Sequence, residues 1–147
     1  MFRHILVPTD GSPVSASAVH RAVSFAKEIG ARITFFYALP DFDASPYGEA
    51  ELLRITDPVR LREAVARQCD EILSAAAQVA QNGAVECDRL HSTAKEPYEA
   101  IIDAAKATDC DLIMMASHGY RGVKGLLLGS QTQKVLTHSR LPVLVLR

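Results

Sequence analysis

Long apolar runs are missing from this sequence. No stretch reaches the roughly 18 residues that a membrane-spanning helix needs, so no membrane partner is expected. Net charge is nearly missing as well: a formal value of -1 supplies no basic face for nucleic acid. Cysteine is scarce and odd in number. Cys69, Cys87 and Cys110 show neither zinc nor redox spacing, and their expected role is small buried packing. Phe2-Arg3-His4 leads straight into a strand and leaves no room for a signal peptide. Repeats, linkers and low-complexity tracts are absent too. These absences point to a cytoplasmic, single-domain chain over residues 1–147.

What is present is core material and punctuation. Hydrophobic residues make up 48% of 147 positions, enough for one substantial core. His4-Ile5-Leu6-Val7-Pro8 reads as a strand, stopped by Thr9-Asp10-Gly11. Ser12 then caps a helix with Pro13 at its first position, and Gly30 is its expected end. A second strand spans 32–39, and residues 40–56 read as a long polar loop. Asp57-Pro58 opens the longest helix, with Leu61, Val65, Cys69, Ile72, Leu73, Ala76 and Ala80 as its apolar stripe and Asn82-Gly83 as its end. A third strand is expected over 85–91, a helix over 97–106, a strand over 112–115, a helix from Gly129-Ser130 to about His138, and a last strand over 142–146. Strands alternating with helices predict an α/β fold, a doubly wound parallel sheet with helices on both faces.

In such sheets ligands bind at the carboxyl ends of strands, where the strand order reverses. Two strand ends carry suitable groups: Pro8-Thr9-Asp10-Gly11 after the first strand, and Ala116-Ser117-His118-Gly119 after the fourth. Nine residues after Gly119, Gly129-Ser130 opens a helix. Backbone N–H groups at a helix start, with the cations Arg121 and Lys124, suit a phosphate. Each feature has a plainer reading: Asp10 as an Asx-turn residue, Gly129-Ser130 as a helix cap, the two cations as solvated surface charge. His118 has no Ser, Cys or carboxylate partner placed by sequence, so no catalytic residue is assigned. The other histidines show no ligand spacing, and no protein metal site is expected.

The Thr-Asp-Gly-Ser segment and the spacing of Gly119 and Gly129-Ser130 resemble the universal stress protein family, in which Gly, two residues, Gly, nine residues and Gly-Ser/Thr wrap a bound ATP. The resemblance extends over essentially the whole chain. It implies a five-stranded sheet of order 3-2-1-4-5, of the adenine nucleotide alpha hydrolase-like type. It also implies an ATP site, with magnesium carried by the phosphates. Pro8, Thr9 and Asp10 would lie against ribose and adenine, Ala38 would offer backbone to the adenine edge, and Met115 and Ala116 would flank the nucleotide. Gly119, Gly129, Ser130 and Gln131 would contact phosphates. Ala116 stands where the family has its first glycine. At positive φ an alanine there costs about 1–2 kcal/mol, but a residue leaving a strand is expected in the β region.

The resemblance implies a homodimer acting in stress adaptation, and the apolar last strand, Pro142-Val143-Leu144-Val145-Leu146, would pair with its copy as an unguarded sheet edge. A slow ATP hydrolase and an interaction protein that binds no nucleotide are the competing readings. A receiver domain would need an acidic pair after the first strand, and a flavodoxin a Ser/Thr-rich phosphate loop there; neither is present.

Overall fold

The runs rich in β-branched and aromatic residues form one parallel sheet of five strands, ordered β3-β2-β1-β4-β5. The computed structural model describes residues 1–41, 55–120 and 128–147. Along the chain these hold β1 (His4–Pro8), α1 (Pro13–Ile29), β2 (Arg32–Pro40), α2 (Pro58–Asn82), β3 (Cys87–Ala94), α3 (Pro97–Ala107), β4 (Leu112–Ala116), α4 (Ser130–His138) and β5 (Val143–Leu146). Most of the expected loop over 40–56 lies outside the described residues, as do Arg121 and Lys124.

The alternation of strand side chains divides the core in two. Ile5, Val7, Ile33, Phe35, Met114 and Ala116 pack under α1 and α2. Leu6, Phe36, Ile113 and Met115 pack under α3 and α4. Because helices cover both faces, the inner strands are mostly apolar, and β4 is buried along its whole length.

Helix starts follow the expected chemistry. Ser12 Oγ accepts the Ser15 N–H at 3.2 Å, Asp57 Oδ1 accepts that of Arg60 at 3.1 Å, and proline occupies the first turn of α1, α2 and α3. The ends are less uniform. Gly30 takes the left-handed conformation that the sequence predicts, at φ 71°. At the end of α2 the left-handed residue is Ala84 (φ 57°), one place later than expected, while Gly83 stays right-handed. Ala84 N–H bonds Gln81 O, and Val85 N–H bonds Ala80 O. This two-bond closure uses Val85 as an apolar plug, 8% exposed. Spending Val85 on the helix end is why β3 begins at Cys87 and runs on to Ala94 rather than spanning 85–91.

The stripe on α2 is only partly buried. Cys69, Leu73, Ala76 and Ala80 reach the core, whereas Leu61, Val65 and Ile72 are half-exposed. A helix of 25 residues is about 37 Å long, longer than the sheet it lies on, so its first turns overhang. Cys69 and Cys110 are buried as packing groups, while Cys87 is partly exposed; burial raises all three thiols above the usual range.

Candidate functional site

β1 and β4 are neighbours at the point where the strand order reverses, pairing Ile5 with Leu112 and Leu6 with Ile113. Their carboxyl ends therefore lie side by side, and the loops that follow meet. Asp10 is the junction. Its Oδ1 accepts the Ser12 N–H at 2.9 Å, an Asx turn within its own loop. Its Oδ2 accepts the Tyr120 N–H at 3.1 Å from the loop after β4. Tyr120 then reaches back, its hydroxyl donating to Gly11 O at 3.0 Å. The plain turn reading of Asp10 is thus correct but incomplete, because the same carboxylate also joins the two loops. An ionised carboxylate keeps further lone pairs for ligand hydroxyls.

Gly119 lies directly on this carboxylate. A Cβ at that position would overlap Asp10 Oδ2, so a larger residue there would push the carboxylate from its place, a matter of close approach rather than of an unusual φ. Gly129 is needed for the same kind of reason. A Cβ there would stand 3.1 Å from His118 Cα and 3.3 Å from Ser117 O. Its N–H is already used, donating to Ser117 O at 2.6 Å. The expected Gly129 donor is therefore committed to the β4 loop, and the anion-facing groups are those of the helix start. α4 begins at Ser130 with no side-chain cap, since its N-cap is Gly129. Thr132 fixes that helix start to the strand, its buried hydroxyl donating to Ala116 O at 3.0 Å.

The other expected residues divide. Thr9 is buried beneath the loop and donates its N–H to Phe36 O at 2.9 Å. Pro8 pairs with Phe36, and β2 continues past it, so half-buried Ala38 forms a wall beside the β1 loop. Ala116 is a strand residue paired with Leu146, outside the left-handed region. The strain that positive φ would impose is absent. Met115 departs from expectation: its side chain is 6% exposed and packs with Leu6 and Phe36 beneath α3 and α4. Gln131 departs too. Its Oε1 accepts the Tyr98 N–H at 3.0 Å, capping α3, whose own N-cap Glu96 makes no side-chain cap. An amide side chain one residue into α4 serves whichever orphan donor the packing brings near, and here that donor belongs to α3.

Tyr120 and Ser15 carry part of this arrangement and were not singled out from sequence. A lone tyrosine or a mid-turn serine has no spacing signal. Burial raises the Tyr37 phenol above its ordinary range, with Cys69, Asp10 and Tyr120 adding to the rise. His118 bonds its neighbour, Nδ1 lying 3.0 Å from Ser117 Oγ. Among the described residues no trio of His, Cys, Asp or Glu could hold a metal. Two shallow grooves, of about 330 and 280 Å³, run along α1 and between α1 and the end of β5; neither is lined by an expected site residue.

A doubly wound sheet with paired loops at its switch point, a carboxylate in one and an uncapped helix start behind the other, defines a class of small parallel α/β domains. Comparison narrows the class. The sequence profile of the universal stress protein family matches residues 1–147, and the chain belongs to that family. It is 36% identical over 150 residues to a universal stress protein of Thermus aquaticus, covering 100% of both. It superposes on UspA from Lactobacillus plantarum with a TM-score of 0.79 at 29% identity, covering 99% of this chain and 98% of that one. Two more distant structures share the fold: a universal stress protein in complex with cAMP (TM-score 0.73, 22% identity, 99% and 97% covered) and one from Archaeoglobus fulgidus in complex with dAMP (TM-score 0.68, 16% identity, 100% and 98% covered).

Proposed function

We propose that this chain is an adenine-nucleotide-binding universal stress protein that takes ATP, with magnesium carried on the phosphates, and works in the cytoplasm as a homodimer. One observation carries the nucleotide reading: residues 117–120, after β4, bond to both groups of residues expected to face the ligand. The Ser117 carbonyl holds Gly129 at the start of α4, and the Tyr120 amide holds Asp10. Ribose hydroxyls can donate to Asp10, while Ser130 and the first-turn amides of α4 can face phosphate. The cAMP and dAMP complexes of two proteins of this fold support an adenylate as the ligand class.

Mass analysis of nucleotide released from freshly denatured protein, with calorimetric titration of ATP and magnesium, tests this directly. The expected dissociation constant is on the order of micromolar. No released adenylate and no heat of binding would remove the reading. Catalysis is not part of it. Among the described residues the hydrogen bond of the His118 ring is to Ser117 Oγ and not to a carboxylate, so turnover is expected well below the roughly 10 s⁻¹ median of enzymes. Among the described residues no helix is long and apolar enough to cross a membrane, which is compatible with the proposed compartment.

The dimer reading rests on the contrast between sheet edges. β3 exposes Asp88, Arg89, His91, Ser92 and Thr93, charges and hydroxyls that discourage strand pairing. β5 carries only Val143, Leu144, Val145 and Leu146, with Leu144 40% exposed. Antiparallel pairing of β5 with its copy would satisfy the open edge. Light scattering should give a dimer for the wild type. Leu144→Lys, by placing an unpaired charge in the interface, should weaken it by about 3 kcal/mol or more. A monomeric wild type defeats the dimer, and a variant that stays dimeric on dilution defeats its pairing through β5.

A further inference from the structure

Asp10 can serve a ribose only if its loop is held in one shape, and the hydrogen bonds around it converge on a side chain outside the site. Ser15 is 3% exposed and lies in the first turn of α1. In the usual reciprocal cap, the third residue after the N-cap reaches back to the N-cap amide. Here that amide, Ser12 N–H, is taken by Asp10 Oδ1 at 2.9 Å. Ser15, at the third position, reaches further back instead. Its Oγ accepts the Asp10 N–H at 3.2 Å and donates to Thr9 Oγ1 at 2.7 Å. Thr9 Oγ1 in turn faces the Gly11 N–H at 3.4 Å. One hydroxyl therefore ties down residues 9 and 10 directly and 11 through Thr9. α1 does not need it: the helix cap runs from the Ser15 backbone N–H to Ser12 Oγ and survives loss of the side chain.

We infer that Ser15 is the positioning residue of this site, its buried hydroxyl setting the direction in which the Asp10 carboxylate meets ribose. This rests on the nucleotide reading above and adds to it a residue that would touch no ligand. Without the hydroxyl, the Asp10 amide and Thr9 Oγ1 lose a buried partner, and the loop is free to turn the carboxylate away. An alanine is smaller than serine and meets no steric barrier, so the protein should still fold.

The test separates aim from fold by comparing ATP with 2′,3′-dideoxy-ATP, which lacks the hydroxyls that Asp10 would receive. Ser15→Ala should weaken ATP by about 5- to 10-fold, the worth of about one ordinary net hydrogen bond. It should leave dideoxy-ATP within about twofold, and Ser15→Thr, which keeps the hydroxyl, should restore ATP. Equal losses for both nucleotides, or loss for neither, overturns the inference. Hydrogen exchange in the unliganded protein gives an answer independent of binding. The Asp10 amide should exchange about tenfold faster in Ser15→Ala while the centre of α1 is unchanged; unaltered exchange at Asp10 overturns the positioning role. A wild type that binds no adenylate overturns the nucleotide reading alone.

Discussion

The two ends of the sheet are built for different purposes. At the carboxyl end the four helices α1 to α4 begin, and the groups there are polar, closely approached and tied across loops: Asp10 to Tyr120, Gly129 to Ser117, Thr132 to Ala116. At the amino end the helices stop, and the chain returns through left-handed residues at Gly30, Ala84 and Asp109. Each is followed by the same long closing bond, Ala31 to Ala26, Val85 to Ala80 and Cys110 to Ala105. The amino end also buries a polar pair, His4 Nε2 lying 2.8 Å from Thr34 Oγ1. Asp111 seals the approach by accepting the Arg3 and His4 amides at 2.9 and 3.1 Å. Open donors sit at one end and closed turns at the other. Changes at the carboxyl end should therefore alter ligand affinity, and changes at the amino end should alter stability alone.

The largest effect should come from Gly129→Val. Backbone dihedrals at 129, φ −68° and ψ 157°, suit any residue, so the cost arises from side-chain bulk. Its Cβ and methyls would press on His118 and Ser117 and displace the start of α4. ATP affinity should fall by about 100-fold or more, close to 2.7 kcal/mol, in a protein whose circular dichroism is unchanged. Unaltered affinity in a folded variant would move the site away from this end of the sheet.

A smaller effect is expected from acid at the amino end. Burial first, and the nearby Arg32 guanidinium second, hold the His4 imidazole below its usual range, while the Thr108 carbonyl, Asp88 and Asp111 pull the other way. The unfolded chain takes up this proton near pH 6.5, and the folded chain only at lower pH. Between the two the unfolded state holds more protons, so stability rises with pH. His4 thus contributes fully above about pH 6.5, and its contribution is lost as pH falls from there toward the folded value. Chemical denaturation between pH 7.5 and 5 should show this slope, and His4→Gln should flatten it. A wild type equally stable across that window would refute the assignment.

The smallest effect should be Ala84→Gly. An alanine at φ 57° is strained where glycine is not. The exchange should raise stability by about 0.5–1 kcal/mol, read from the denaturation midpoint, and leave ATP binding untouched. Altered ATP affinity in Ala84→Gly or His4→Gln would break the division between the two ends.

Local rules carried most of the fold. Ser12, Asp57, Pro13, Pro58, Pro97 and Gly30 each act within one turn of the chain, so their effect is readable from neighbours alone. Where two local signals competed, reading failed: Gly83 looked like the stop, but Ala84 took the left-handed place and drew Val85 out of the strand. In the candidate site, Asp10, Gly119 and Gly129 were legible because each is a residue type suited to a tight approach at a strand or helix end. Their partners were not. The contact of Gly119 with Asp10 spans more than a hundred positions in the chain, and the capping of α3 by Gln131 depends on how two helices pack.

By itself, the sequence determined the elements, their order and the two loops able to face a ligand, because backbone geometry, caps and apolar period act over a few residues. The tertiary structure alone decided what each polar group does. It tied Asp10 to Tyr120, sent Gln131 to another helix, buried Met115 and took the Gly129 amide for the Ser117 carbonyl. A hydrogen-bonding group takes the partner that packing brings within about 3 Å, and that distance is set by the whole sheet rather than by the neighbouring residues.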